Sequence, residues 1–221
     1  MPHEARCSFC WNEANCVLRC RTEQASLSVK QLDFNKEGIV YSVGMPAAAV
    51  FGVKTGSVRL TLGDQRGGSR IVRFAKGGDF LGFDALLPRA VYTFTATARE
   101  ASTICFVTRQ VFELLLTDNS QVGRTIVLAL TRLLQDSETE KTEISGLRVP
   151  DRLAKVILRF PARTARRTSG DAVMDRTPPM AEVRQWEIAQ FLGVSEETVS
   201  RELRKFRIGR SASGPAQAHF G

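Results

Sequence analysis

Short apolar runs separated by glycines occupy residues 39 to 107, and they restrict the possible folds of this chain more than any other feature. Each run has the length of a β-strand, and the glycines stand where turns would lie. Several short strands at this spacing are typical of a small sandwich or barrel and not of a parallel α/β sheet. The runs are Ile39–Val43, Val50–Val53, Val58–Leu62, Ile71–Phe74, Phe80–Phe83, Tyr92–Ala98 and Thr103–Val107.

After residue 107 the apolar period changes from strand-like to helical. Residues at steps of three and four predict a helix of about 25 residues whose apolar stripe is narrow, as in a two-stranded coiled coil. The alternative is a long helix lying on its own barrel. On the first interpretation the stripe is a dimer interface, formed by Val127, Leu130, Leu134, Ser137, Lys141 and Ile144. Its two polar members predict a marginal interface.

The C-terminal part of the chain predicts a helix-turn-helix. A first helix is expected from Pro150 to Phe160, and Glu187–Phe206 reads as two more helices around a tight turn at Gly193. Ser195 is placed to cap the last helix. In a helix-turn-helix this second helix enters the major groove of DNA.

The side chains of that last helix suit the recognition of base edges. Glu197, Ser200 and Arg201 lie three and four residues apart and therefore share a face. A carboxylate accepts from cytosine, a guanidinium donates to guanine, and a hydroxyl contacts either. Arg204 and Lys205 add positive charge to the same segment. The plainer interpretation is a surface pair between Glu197 and Arg201, worth a few tenths of a kcal/mol.

Charge and hydropathy restrict the class of protein. Residues 148 to 210 contain 14 Lys and Arg and 8 Asp and Glu, so most of the net charge of +8 lies there and predicts an anionic partner. A secretory signal and an apolar span of membrane length are both absent from the sequence, which predicts a cytoplasmic protein. Paired histidines, a nucleophile elbow and a phosphate loop are also lacking, so an enzyme is not expected.

Four of the five cysteines fall within fourteen residues, spaced C-x2-C-x5-C-x3-C at Cys7, Cys10, Cys16 and Cys20, and Cys105 stands far downstream. In a reducing compartment such a cluster is more often metal-binding or redox-active than a set of structural disulfides. Thiolates suit iron–sulfur centres and zinc alike. Reversible thiol oxidation is a third possibility.

Three landmarks in order give the chain a specific resemblance. The first is C-x2-C-x5-C at residues 7 to 16, and the second is G-D-F-L-G-F-D-A at Gly78–Ala85, followed by S-T-I-C at Cys105. The third is E-T-V-S-R at Glu197–Arg201. Together they resemble the CRP/FNR superfamily of bacterial transcription regulators, and specifically its oxygen-sensing FNR-type branch, over most of the chain.

The resemblance implies an α+β fold with four segments. Residues 1–24 would be a cysteine-rich cluster-binding arm and 25–118 a β-roll sensory domain like those that bind cyclic nucleotides. Residues 119–146 would be the dimerisation helix, and 147–221 the helix-turn-helix DNA-binding domain. That domain is expected to be winged-helix-like with a truncated wing, because Ser211–Gly221 does not resemble the β-hairpin that follows the recognition helix in the family.

The resemblance also implies a cofactor and partners. Cys7, Cys10, Cys16 and Cys105 would hold one [4Fe–4S] cluster per subunit, and Cys20 would be surplus. The cluster-bound homodimer would bind double-stranded DNA at a TTGAT-like inverted repeat and contact RNA polymerase, and oxygen would disassemble it. A local zinc site of Cys7, Cys10, Cys16 and Cys20 is the alternative ligand set. A cyclic-nucleotide pocket is not expected, because Arg89 is followed by alanine where that branch has serine.

Overall fold

The computed structural model describes residues 29–63, 68–118, 120–144, 146–159 and 183–212. The strands are β1 (Lys30–Phe34), β2 (Ile39–Tyr41), β3 (Ala49–Thr55), β4 (Ser57–Gly63), β5 (Ser69–Lys76), β6 (Phe80–Leu81), β7 (Thr95–Ala98) and β8 (Ser102–Thr108). A short 3-10 helix spans Phe83–Leu86. The α-helices are α1 (Arg109–Asp118), α2 (Ser120–Ile144), α3 (Val149–Arg159), α4 (Gln185–Leu192) and α5 (Glu196–Ala212).

Two four-stranded sheets form the N-terminal part of the described chain. One sheet has the order β1-β8-β3-β6 and the other has the order β2-β7-β4-β5, with antiparallel pairing throughout. We call them the first sheet and the second sheet. Among the described strands only β4 and β5 are both paired and consecutive in the chain, and the other pairs join strands that are distant in sequence. The small sandwich or barrel predicted from the glycine-separated runs is present as these two sheets.

The seven predicted strands correspond to β2 through β8, with changes at their ends. The predicted strand Phe80–Phe83 ends at Leu81, because Gly82 adopts a left-handed conformation (φ 74°) and begins the 3-10 helix. The predicted strand Tyr92–Ala98 begins only at Thr95. The sequence did not indicate β1, which is mostly exposed and includes the charged residues Lys30 and Asp33.

Helices flank the roll. The predicted long helix is present as α2, 25 residues long. Helix α1 was not expected; its buried Phe112 belongs to the same hydrophobic cluster as Val50 and Val107. The helix predicted from Pro150 to Phe160 is present as α3 and begins one residue earlier. No described helix has the combination of length and apolarity that a membrane crossing requires.

The roll interior is filled by aromatic side chains. The rings of Tyr41 and Tyr92 stack with centroids 4.1 Å apart, and Phe51 lies 5.2 Å from Tyr41. The Tyr92 hydroxyl donates to the carbonyl of Ala49 at 2.9 Å and accepts from its amide at 3.1 Å, which satisfies a buried polar group. Burial raises the pKa of both tyrosines.

A second core joins the second sheet to the C-terminal helices. Ile71 and Phe74 of β5 belong to it, together with residues from three helices. The helical members are Leu153, Val156, Ile188, Ala189, Phe191, Leu192 and Val199. The C-terminal helices therefore share their apolar core with the roll.

Candidate functional site

Helices α4 and α5 are joined by a three-residue turn, as the sequence predicted. Gly193 ends α4 in a left-handed conformation (φ 69°), which glycine adopts without strain, and its amide donates to the carbonyl of Ala189. The Ser195 hydroxyl accepts from the amide of Thr198 at 3.2 Å. Ser195 is therefore the N-cap that its position predicted, and Glu196 and Glu197 lie in the first turn of α5, where carboxylates are favourable.

The residues expected to read DNA lie on the accessible side of α5. Glu197, Arg201, Arg204 and Lys205 are exposed, and Ser200 is half-buried. Arg204 approaches the Ser200 hydroxyl at 3.5 Å. These positions leave the side chains open to a partner, while their role in DNA recognition stays a prediction.

Glu202 is a buried acidic residue on α5 that the sequence did not single out. Lys205 donates to it at 2.9 Å, and the Arg201 Nε lies 3.8 Å from the same carboxylate. Arg201 therefore has Glu202 as its acidic neighbour, and not Glu197 as the alternative interpretation of that face required. The three-residue step from Glu202 to Lys205 was the available signal in the sequence.

The stripe expected to form a dimer interface is largely exposed in the single chain. The exposed fractions are 62% for Val127 and 59% for Leu134, and Leu130 is also exposed. Ser137 is half-buried. The side chains of Lys141 and Ile144 fall outside the described part of α2. Exposed apolar side chains in a row on one helix are typical of a protein interface.

Cys105 lies on β8, in the centre of the first sheet and on its outer face. Its cross-strand partners are Gln31 of β1 and Gly52 of β3. The next pair along, Phe51 and Phe106, has ring centroids 6.0 Å apart and belongs to the interior. Successive residues of a strand point to opposite faces, so Cys105 points away from the second sheet. Opposite it, Gly52 presents no side chain, and Cys105 is 8% exposed.

A hydrogen bond crosses the sheet beside Cys105. Lys54 donates from Nζ to the Gln31 Oε1 at 3.2 Å, although the two residues lie on β3 and β1, at opposite sides of β8. Since neighbouring strands are about 4.8 Å apart, the two long side chains must reach towards each other over β8. Gln31 shares the face of Cys105, so a positive charge lies over the surface on which that sulfur stands.

Cys105 is the one member of the expected ligand set within the described ranges. Cys7, Cys10 and Cys16, like Cys20, precede residue 29 and lie outside them. Among the described residues, no three His, Cys, Asp or Glu side chains come together as a metal site. The ligand set therefore stays a prediction, for which Cys105 supplies a thiol on a rigid strand.

Arg73 is a half-buried cation of the roll. Arg73 of β5 donates to the carbonyl of Phe80 at 2.8 Å, and its Nε has no hydrogen-bond partner. Burial lowers the pKa of Arg73, while the charges of Asp79, Tyr41 and Asp136 oppose that shift. Arg89, which is followed by alanine where the cyclic-nucleotide branch has serine, is exposed.

Comparison with known proteins identifies the roll and relates most of the chain to regulators. The cyclic nucleotide-binding domain family matches residues 31–119. The transcriptional regulatory protein btr of Bordetella pertussis is 25% identical over 213 residues, covering 93% of this chain and 84% of the relative. An anaerobic regulatory protein of Pasteurella multocida is 23% identical over 172 residues, covering 78% of this chain and 61% of the relative. Both relatives are named as regulatory proteins and neither as an enzyme, in agreement with the expectation that the chain is not an enzyme.

A solved structure shares the fold. The c-di-GMP responsive global regulator CLP of Xanthomonas campestris has a TM-score of 0.67 with 16% identity, covering 83% of this chain and 88% of that one. At this identity the likeness concerns the arrangement of the roll and helices alone.

Proposed function

We propose that the chain is a DNA-binding transcription regulator of the CRP/FNR type, controlled by an oxygen-labile [4Fe–4S] cluster. The observation that carries the proposal is the place of Cys105. Cys105 stands opposite Gly52 on an inner strand that is paired on both sides, so its thiol is held at a fixed place where it could serve as one ligand.

Cys7, Cys10, Cys16 and Cys105 would hold the cluster. Such a centre supplies redox chemistry that is sensitive to oxygen, with a potential set by charge and hydrogen bonds around its sulfurs. Thiolates carry negative charge, and the Lys54 ammonium over the same face would stabilise it. The sulfur of Cys105 would fix the cysteine segment to the roll, because β8 is hydrogen-bonded on both sides.

Helix α2 would couple this state to dimerisation. Val127, Leu130 and Leu134 offer an exposed apolar stripe to a second copy, and the half-buried Ser137 interrupts it. An interface of this kind gains less from burial than a fully apolar one. A marginal interface responds to a coupling free energy of only about 1–3 kcal/mol, whereas a strong one would stay closed.

Helix α5 would read DNA through its exposed face. In this proposal Glu197, Ser200 and Arg201 contact base edges, and Arg204 and Lys205 add phosphate contacts. A symmetric dimer would recognise an inverted repeat with TTGAT-like half-sites. As in the family the chain resembles, the bound dimer would then contact RNA polymerase.

One preparation tests the proposal. Protein isolated without oxygen should be brown and contain iron and sulfide at about four each per chain. Air should bleach the absorption, dissociate the dimer and release an inverted-repeat DNA. Colourless protein with stoichiometric zinc would instead establish the four-cysteine zinc site, and recovery of DNA binding by reductant without added iron would establish thiol oxidation. Full dimerisation and DNA binding without iron would contradict the proposal.

A further inference from the structure

A buried ion pair joins the roll to the helices that carry the proposed DNA-reading face. Arg99 follows β7, and Glu187 lies in α4, 88 positions further along the chain. Nε of Arg99 donates to Oε1 of Glu187 at 2.7 Å, and Nη2 donates to Oε2 at 2.8 Å. Both side chains are almost inaccessible, at 2% and 3% exposure. Two parallel hydrogen bonds of this kind fix orientation as well as distance.

Aromatic contacts surround the pair on the outer face of the second sheet. The Arg99 guanidinium lies 4.8 Å from the ring centre of Phe74, and that ring lies 5.5 Å from Phe191 of α4. At the edge of the contact the Arg59 guanidinium lies 5.1 Å from the Trp186 ring. The ion pair is therefore enclosed by apolar groups, where water cannot compete for its hydrogen bonds.

Glu187 also belongs to the start of α4. Its Oε2 accepts from the amide of Arg184 at 3.0 Å, as the third residue of a capping box does. One carboxylate thus holds the first turn of α4 and the roll together. Helix α5 follows after a three-residue turn and packs on α4 through the fully buried Val199, so the direction of α4 determines that of α5.

We propose that Arg99 and Glu187 are positioning residues that set the angle at which α5 is presented to DNA. The inference rests on the proposed DNA binding and is independent of the cluster. A guanidinium–carboxylate fork has a discrete geometry, unlike an apolar contact, which can slide. A buried charge that loses its partner is also strongly unfavourable, so the domain does not drift from this position. In a symmetric dimer a fixed angle becomes a fixed distance between two recognition helices, and that distance selects the spacing of the half-sites.

The test is a panel of inverted repeats that differ only in spacer length, bound by the dimeric protein isolated without oxygen. The native protein should favour one spacing by about 10-fold or more. Arg99→Gln should reduce that preference to about 3-fold or less while leaving the base preference within a half-site unchanged, because α5 itself is intact. Arg99→Lys, which keeps the charge and loses the fork, should behave similarly. An unchanged spacing preference in both variants overturns the inference.

Two comparisons separate positioning from general stability. Glu113→Gln breaks an exposed ion pair with Arg109 in the same way, by replacing one charged partner, and should leave the spacing preference native. The double variant Arg99→Gln with Glu187→Gln should melt closer to the native protein than either single variant, since no charge remains buried alone. It should still lack the spacing preference, whereas a merely stabilising pair would recover it.

A measurement without DNA keeps the inference testable if the proposed function fails. Hydrogen exchange in α4 should be about tenfold faster in Arg99→Gln than in Glu113→Gln, because α4 then separates from the roll more often. Equal exchange rates would show that the pair does not hold α4. If the native protein binds no inverted repeat and α4 is nonetheless protected by Arg99, then the proposed function is wrong while the positioning contact stands.

Discussion

The two sheets of the roll present different outer faces to the rest of the molecule. The second sheet places Phe74 and Arg99 against the C-terminal helices, where apolar packing and a buried ion pair close the contact. The first sheet carries Cys105 opposite a glycine, with the Lys54–Gln31 hydrogen bond passing over β8. The packed face of the second sheet has a discrete geometry, whereas the outer face of the first sheet carries a thiol on the same side as the buried Val50 and Val107.

Under the proposed function, the difference indicates how a single roll could serve both a cluster site and the helices that would read DNA. A packed face transmits position, because close-packed groups have few alternative arrangements. A face that carries a thiol can respond to chemistry, because sulfur ligation and oxidation depend on local charge and access. Cys105 and Phe106 are adjacent in β8, so any strain at the sulfur is one residue from the aromatic interior.

The largest expected effect comes from a substitution of Cys105 on the outer face of the first sheet. Cys105→Ala should abolish retention of iron and the response to air, because the proposed centre would lose its ligand on the rigid strand. The roll itself should stay folded, since alanine fits a site that faces a glycine. Iron analysis and absorption of anaerobic protein measure the loss. Cys20→Ala is the matched control and should retain nearly all iron; equal damage from both changes would show that the ligand assignment is wrong.

A substitution in the packed face should change the free energy of unfolding and not the iron content. Phe191→Ala removes a buried ring from the contact with Phe74 and should lower the free energy of unfolding of the C-terminal helices by about 3–5 kcal/mol. Urea unfolding followed by circular dichroism measures it. Phe206→Ala removes the same ring from an exposed position and should cost about 0.5 kcal/mol or less. Similar losses for the two variants would mean that the contact between Phe191 and the second sheet adds no specific stability.

Much of the architecture could be predicted because it follows from local patterns. The glycine-separated runs indicated seven strands, and the three- and four-residue steps indicated α2. Gly193 and Ser195 marked the turn between α4 and α5 through their own backbone chemistry. Strand β1 was missed because its Lys-Gln-Leu-Asp-Phe sequence gains order by pairing with β8, which lies far along the chain. Helix α1 was missed for a similar reason, since Phe112 becomes informative only once the core around it is known.

The site was predictable in its residue types and not in its contacts. The cysteine pattern and the exposed face of α5 could be found from spacing. The Arg99–Glu187 pair joins residues 88 positions apart, and a single sequence contains no signal that pairs one arginine with one glutamate at that distance. The acidic neighbour of Arg201 is the buried Glu202, whereas the four-residue spacing had offered Glu197 as an alternative.

The smallest expected effect tests whether the charge over the first sheet tunes the proposed centre. A positive charge nearby stabilises the reduced form, which carries one more negative charge than the oxidised form. Lys54→Gln should therefore lower the reduction potential, by about 59 mV if the equilibrium changes tenfold. An anaerobic redox titration followed by absorption measures it. Lys76→Gln, an exposed change on the second sheet, should leave the potential within about 10 mV of the native value, since screening weakens distant surface charges. An equal shift in both variants would mean that net charge, and not the place of Lys54 on the sulfur-bearing face, sets the potential.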